Sequence, residues 1–370
     1  MKIPRGQLLV VMAALGWTVG CASVGPPLPP SLELPRSPSD FRAARKGDQV
    51  KLTWTIPTLT RDRQRVRYLG KTRVCRSLAE RIKECETPVG EAVPPTDFDA
   101  KKSGGQKLRA SFTDTLPSAL EQEHPRGFAT YGVEVLNTAG RGAGISNQVH
   151  VPLVPTLPPF GGFSAHTISQ GVLISWECSA ASIPKQGGIR YLFRIYRREE
   201  GKTSEARIAQ VDATTCATGS EKGVRSYLDQ SFEWEKTYFY LGTVVSAVEA
   251  AGNTMVEVEG DDTAEIKVFA HDTFPPTVPT GLEAVFSGTG QQAFIDLIWA
   301  PVADADLEGY NIYRHEEGAE AAKLNSKPVK TPAYRDAQVE AGKSYFYSVS
   351  ALDQRGNESG RSEEASERVP

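Results

Sequence analysis

Histidine is scarce in this chain, and where it occurs it stands alone. His124, His150, His166, His271 and His315 have no second histidine three or four residues away, so no pair can offer zinc adjacent ligands. His315-Glu316 opens like a zinc-protease motif, but position 319, where the second histidine belongs, is Ala319. The G-x-S-x-G nucleophile elbow and the G-x4-G-K-[ST] phosphate loop are both missing. No catalytic, cofactor-binding or metal-ligating residue is therefore assigned, and a non-enzymatic role is expected. A concentrated basic face is missing as well: the 370 residues carry a net charge of −3, so no nucleic-acid partner is expected. Arg61, Arg63, Arg65 and Arg67 alternate with other residues, but Asp62 interrupts them, and the segment reads as a solvated strand or loop. No long amphipathic helix is encoded. The richest stretch, 78–86, is short and charged.

What the chain does have is a repeat, the feature that sets architecture before any residue is given a role. An apolar strand closes on a tryptophan at Leu52-Thr53-Trp54, Leu173-Ile174-Ser175-Trp176 and Leu297-Ile298-Trp299. An arginine-bearing strand follows each: Arg73-Val74-Cys75-Arg76, Ile195-Tyr196-Arg197-Arg198 and Ile312-Tyr313-Arg314. Each copy then reaches a longer strand, at Tyr131-Gly132-Val133-Glu134-Val135, Tyr238-Phe239-Tyr240 or Tyr345-Phe346-Tyr347. In the last of these Tyr345, Tyr347, Val349 and Ala351 are spaced by two and share one face. Apolar content of 39% with 24% charge is that of a globular protein, and this length suits two or three domains; the repeat favours three. Proline-rich punctuation at 151–160 and 272–282 ends one set of strands before the next begins.

The third copy resembles a fibronectin type III domain of the bacterial exported kind. The likeness rests on Pro275-Pro276-Thr277-Val278-Pro279, Trp299, the run from Asp304 to Arg314, and the aromatic strand and turn over 345–359. Tyr345 stands where the family keeps its tyrosine-corner residue, whose hydroxyl ties the strand to the preceding loop. The second copy matches at Trp176, Tyr196-Arg197 and Tyr238. The first is the most divergent, with Ala129 at the corner position and a cysteine-bracketed insertion. The resemblance implies an all-β fold of three tandem fibronectin III-like, immunoglobulin-like β-sandwiches over 38–155, 156–272 and 273–370. Trp54, Trp176 and Trp299 each follow an apolar strand at the period of an inward face and read as core residues, against sugar stacking as the alternative.

Ahead of these lie a signal peptide at 1–20 and a Pro-rich tether at 21–37. Lys2 and Arg5 precede an uncharged, mostly apolar run over 8–20, too short to cross a bilayer but suited to a secretory signal. The run ends Thr18-Val19-Gly20-Cys21, which resembles a bacterial lipobox with Thr18 in place of the usual leucine. Cys21 is thus the expected lipid-attachment site, with plain secretory cleavage or an uncleaved anchor as the alternatives. Pro26, Pro27, Pro29, Pro30, Pro35 and Pro38 bias the next segment to polyproline II, a semi-rigid spacer of roughly 50 Å at most. Ala22, which is not aspartate, favours the outer membrane of a Gram-negative host. With Cys21 acylated, Cys75 and Cys85 fall in the first copy and Cys178 and Cys216 in the second, a parity expected of an oxidising compartment. Disulfides Cys75–Cys85 and Cys178–Cys216 are expected, against free buried thiols as the alternative.

Three surface motifs have plain readings beside tempting ones. Asp304 and Asp306 could share calcium, but two carboxylates rarely suffice, and the segment reads as a strand-connecting turn. Lys46-Gly47-Asp48 reads as a hairpin turn and not as an integrin tripeptide. Asn357-Glu358-Ser359 fits a glycosylation sequon and equally a turn. Trp234, between Glu233 and Glu235, is the one residue singled out as a possible contact. The function expected is that of a cell-envelope lipoprotein, membrane-held through its acyl anchor, acting as spacer or adhesion scaffold for an unknown protein or glycan partner. The alternatives are a carbohydrate-binding accessory of a polysaccharide-degrading or secretion system, and an enzyme whose site carries no recognisable motif.

Overall fold

A computed structural model of the chain describes residues 32–94, 108–178, 183–184, 188–216, 223–250, 254–288 and 292–370. The signal peptide, Cys21 and the first part of the tether lie outside the described residues. So does the Gly252-Asn253 turn.

The fold class is the expected one: nearly all-β, built of several antiparallel sheets. From the start of the chain come β1 (Arg42–Lys46), β2 (Gln49–Thr55), β3 (Thr72–Ser77), β4 (Pro88–Ala92), β5 (Arg109–Thr115), the six-residue helix α1 (Ser118–Glu123), β6 (Phe128–Val135) and β7 (Val149–Pro152). Then follow β8 (Ser164–Ile168), β9 (Gly171–Cys178), β10 (Ile189–Glu199), β11 (Ala206–Asp212), β12 (Gly223–Asp229), β13 (Thr237–Ala250), β14 (Thr254–Asp262) and β15 (Ile266–Phe269). The last set is β16 (Glu283–Ser287), β17 (Phe294–Ile298), β18 (Leu307–Glu316), β19 (Ala322–Lys323), β20 (Ala333–Asp336), β21 (Ser344–Asp353) and β22 (Ala365–Arg368).

The strand orders repeat. A three-stranded sheet recurs as β1-β2-β5, β8-β9-β12 and β16-β17-β20. Its companion recurs as β4-β3-β6-β7, as β11-β10-β13-β14 with β15 also paired to β13, and as β19-β18-β21-β22. Two such sheets, each with one apolar face, bury those faces against each other, which is the sandwich architecture. The period-two pattern decides what goes inside: Val172, Ile174 and Trp176 on β9 join Tyr191, Phe193 and Ile195 on β10 in one core. Ile295, Leu297 and Trp299 join Tyr345, Tyr347, Val349 and Ala351 in another. Trp54, Trp176 and Trp299 are all buried, as expected of core residues.

The density of internal contacts divides the chain into two compact units. Among the described residues, one comprises 32–42, 52–94, 108–112 and 130–149; the other comprises 43–51, 113–129 and those from 150 onward.

Both disulfides are formed, with Cα atoms 5.5 Å apart for Cys75–Cys85 and 5.3 Å for Cys178–Cys216. Cys75 lies within β3, while Cys85 sits in the loop before β4. Cys178 ends β9, and Gly223, which opens β12, is its direct partner across the ladder. Gly47, at φ +58°, forms the turn joining β1 to β2, so Lys46-Gly47-Asp48 is a hairpin turn. Residues 78–86 contain no helix, as their charge suggested.

Candidate functional site

Three arrangements of polar side chains stand out, and each grows from the repeated strands. The first recurs in register. Arg197 on β10 lies directly opposite Tyr240 on β13, and Arg314 on β18 lies opposite Tyr347 on β21. Between each pair sits an aspartate at the end of the facing sheet's third strand. Asp229 accepts from the Tyr240 hydroxyl at 3.0 Å and pairs with the Arg197 guanidinium at 2.7 Å. Asp336 does the same with Tyr347 at 2.9 Å and Arg314 at 2.7 Å. The other carboxylate oxygen caps the turn two residues on, accepting from the backbone N–H of Ser231 or Gln338 at 3.0 Å. Burial beside these carboxylates drives the Tyr240 and Tyr347 hydroxyls far above the ordinary tyrosine range. In the first copy Arg76 likewise faces Tyr131 across β3 and β6, and a buried aspartate, Asp114, lies near the end of β5.

The geometry is that of a satisfied buried ion cluster bridging two sheets, with every carboxylate oxygen committed. It braces the fold. These aspartates escaped the sequence reading, although a signal was there: each follows an aromatic by two residues, at Phe112-Thr113-Asp114, Tyr227-Leu228-Asp229 and Tyr334-Arg335-Asp336.

Corner tyrosines give the second arrangement. Tyr345 accepts from the backbone N–H of Glu340 at 3.0 Å, which is the tie expected of a tyrosine corner. Tyr238 makes the same bond with Glu233 at 3.0 Å. Ala129 is fully buried at the corresponding place in the first copy and has no hydroxyl to offer.

The third arrangement gathers around Arg355, which follows β21. Its guanidinium lies 3.2 Å from Asp272 and 3.7 Å from Asp306. The Asn357 amide donates to the Asp272 carbonyl at 3.1 Å and to the Asp353 carboxylate at 2.8 Å. Asp272, Asp306 and Asp353 bring carboxylate oxygens within 4.8 Å of one another, but the positive charge among them is supplied by Arg355. Asp304, the other half of the Asp304–Asp306 pair considered for calcium, accepts from the backbone N–H of Thr277 at 2.9 Å and so serves a turn.

Trp234 belongs to this neighbourhood. It is half-buried, with its ring edge-to-face on Phe232 at 4.8 Å, tilted against Phe274 at 6.2 Å, and 5.9 Å below the Arg355 guanidinium. Beside it Glu235 hydrogen-bonds His271, and that bond holds the Glu235 carboxyl below its ordinary range. The Lys46-Gly47-Asp48 hairpin makes a separate polar contact. The Gly47 N–H donates to the Glu259 carbonyl at 2.8 Å, and Lys46 pairs with Asp262 at 2.5 Å. Nearby, Arg45 and Glu121 form a buried ion pair. Burial raises the Glu121 carboxyl even though Arg45 opposes the shift.

No known protein-family profile matches the chain. Among curated proteins it is 28% identical over 267 residues to Exoglucanase B of Cellulomonas fimi, covering 70% of this chain and 21% of that protein. Over 95 residues it is 40% identical to an amylopullulanase of Thermoanaerobacterium thermosulfurigenes, and over 89 residues 39% identical to one of Thermoanaerobacterium saccharolyticum. Those two stretches cover about a quarter of this chain (25% and 24%) and only 5% and 6% of the enzymes. The chain thus spans a minor part of the length of each relative. Among solved structures, the FN1–FN3 domains of chicken CNTN1 align over 90% of this chain and 99% of theirs at 16% identity and a TM-score of 0.26. An Fn3-like protein from Clostridium thermocellum aligns over 26% of this chain and 96% of its own at 30% identity and a TM-score of 0.23.

Proposed function

We propose that the chain is a non-enzymatic lipoprotein scaffold of the bacterial cell envelope. In this reading Cys21 carries the acyl anchor, residues 21–37 form the spacer, and three fibronectin III-like sandwiches over 38–155, 156–272 and 273–370 present binding surfaces outward. The joint at Asp272 carries the proposal. Residues 272–282 are proline-rich, yet Arg355 and Asn357 grip Asp272 through side chain and carbonyl, and Trp234 packs on Phe274. A spacer needs its successive sandwiches held at a fixed angle. Polar clamps over a stiff linker supply that, whereas a Gly/Ser linker would not. The buried Arg–Asp–Tyr clusters fit the same role, because their charged groups are spent on bracing.

A second reading has one observation in its favour. All three curated relatives bear names of glycan-degrading enzymes, and the chain matches small portions of them. As an accessory to such machinery it would bind polysaccharide without cleaving it, with Trp234 as the residue to replace first. The two readings separate in one experiment on the full chain with starch and with cellulose. A scaffold for protein partners stays in solution and releases no reducing sugar, while chemical cross-linking in membranes recovers a stoichiometric protein partner. Co-sedimentation lost in Trp234→Ala would establish the accessory role instead, and release of reducing sugar would refute both.

A further inference from the structure

The sandwich built from β8 to β15 contains a cavity of about 320 Å³. The segment before β8 covers it with Leu157, Pro158, Pro159 and Phe160. Phe160 is held in place from below. A Cβ at Gly242 would come within 2.1 Å of its ring, so only glycine on β13 lets the ring lie there. Phe160 meets Phe193 edge-to-face at 5.2 Å and tilts against Trp176 at 5.8 Å, so the cavity has aromatic walls set at steep angles.

Tyr191 also lines the cavity. It is 3% exposed, and its hydroxyl has no hydrogen-bond partner among the described residues. A buried hydroxyl left unpaired is costly, and such orphans are rare enough in folded proteins to need a cause. Burial alone pushes this hydroxyl above the ordinary tyrosine range. A single water could satisfy the hydroxyl, but a water fills only ~30 Å³ of such a space. Apolar cavities of about 150 Å³ take up benzene. Twice that volume, with ring walls, the Tyr191 hydroxyl inside and the exposed Glu177 among its lining residues, suits a substituted ring bearing one hydroxyl. A sugar fits poorly: beyond Tyr191 and Glu177 its several hydroxyls would face leucine, proline, phenylalanine, isoleucine, valine and alanine side chains with too few partners.

We infer that this cavity is a binding site for a small neutral phenol, whose ring packs edge-to-face on Phe160 and Phe193 and whose hydroxyl pairs with Tyr191. The site is independent of the joint at Asp272 and of any glycan bound there. It also gives the Tyr191 hydroxyl, unpaired among the described residues, a partner without a covalent or redox step.

The probes are 4-fluorophenol and its hydroxyl-free counterpart fluorobenzene, titrated into the full chain and read by fluorine NMR. Saturable binding of 4-fluorophenol is expected. Tyr191→Phe, which keeps the ring, weakens 4-fluorophenol about tenfold, ~1.4 kcal/mol, and leaves fluorobenzene unchanged. Ala213→Leu, which builds into the cavity, removes both. Should Ala213→Leu fail to fold, the Tyr191→Phe comparison decides alone. An absence of saturable binding at millimolar 4-fluorophenol overturns the site. So does 4-fluorophenol binding that Tyr191→Phe leaves intact, for then the hydroxyl is a packing defect or is served by water.

Discussion

Replacing Asp336 by alanine removes one side chain and strands three donors. The Tyr347 hydroxyl at 2.9 Å, the Arg314 guanidinium at 2.7 Å and the Gln338 N–H at 3.0 Å all lose their acceptor. Tyr347 is fully buried and cannot turn to water, while Arg314 keeps a second acceptor in the Gln338 carbonyl at 2.6 Å. Breaking a buried ion pair from one side costs about 3–5 kcal/mol. The remaining Arg314 bond argues for the lower end, about 3 kcal/mol. For a sandwich of this size that lowers the melting transition by roughly 15 °C. Differential scanning calorimetry of the full chain would show one transition displaced by that amount, because Asp229 braces a different pair of sheets. A cycle with Tyr347→Phe should give a coupling of about 1 kcal/mol or more, since the second change removes an orphan the first created. A loss below about 1 kcal/mol for Asp336→Ala, with no coupling, would refute the bracing role.

Further outcomes follow from the same structure. Reduction should destabilise the sheets joined by Cys178–Cys216 by about 4 kcal/mol and those around Cys75–Cys85 by about 3, since the wider loop restrains more of the unfolded chain; urea titration with and without reductant measures both. Burial beside a carboxylate raises the Tyr240 and Tyr347 hydroxyls, so the folded state favours their protonated form; Tyr196, pushed up to about 12, behaves alike. Their contribution is intact below the unfolded tyrosine value of about 10 and is lost as pH rises past it, so urea midpoints should fall steeply above pH 10. Arg355→Ala leaves Asp272 and Asp306 without their cation. Hydrogen exchange around 272–280 should quicken by several fold while the β-sheet cores keep their protection, and an unchanged rate would remove Arg355 from the joint.

Most of the framework could be read from residue order, because it rests on features local in sequence. Alternation placed Tyr345, Tyr347, Val349 and Ala351 on one face, and apolar strands led into the three tryptophans. The corner tyrosine carried its own positional mark. Cysteine parity pointed to pairing, and the register of β9 with β12 brings Cys178 near the loop that holds Cys216. The bracing aspartates were hidden for a physical reason. An aspartate ending a strand normally caps a turn in water, and Asp229 and Asp336 do cap turns; only the packing of the opposite sheet buries their second oxygen. Arg355 and the cavity beneath Phe160 were hidden more deeply. Each depends on chain segments far apart, Asp272 with Arg355 in one case and Phe160 over Gly242 in the other. Trp234 was singled out by its charged neighbours, and the structure places it in the aromatic packing beside Phe274.

The tether at Cys21 is what would turn a row of sandwiches into an envelope scaffold, and palmitate labelling tests it most directly. Expressed in a Gram-negative host with labelled palmitate, the wild-type chain should carry label and fractionate with the outer membrane. Cys21→Ala should be unlabelled and recovered in the soluble envelope fraction. Label retained by Cys21→Ala, or a wild-type chain without label and free of the membrane, would contradict the tethered scaffold.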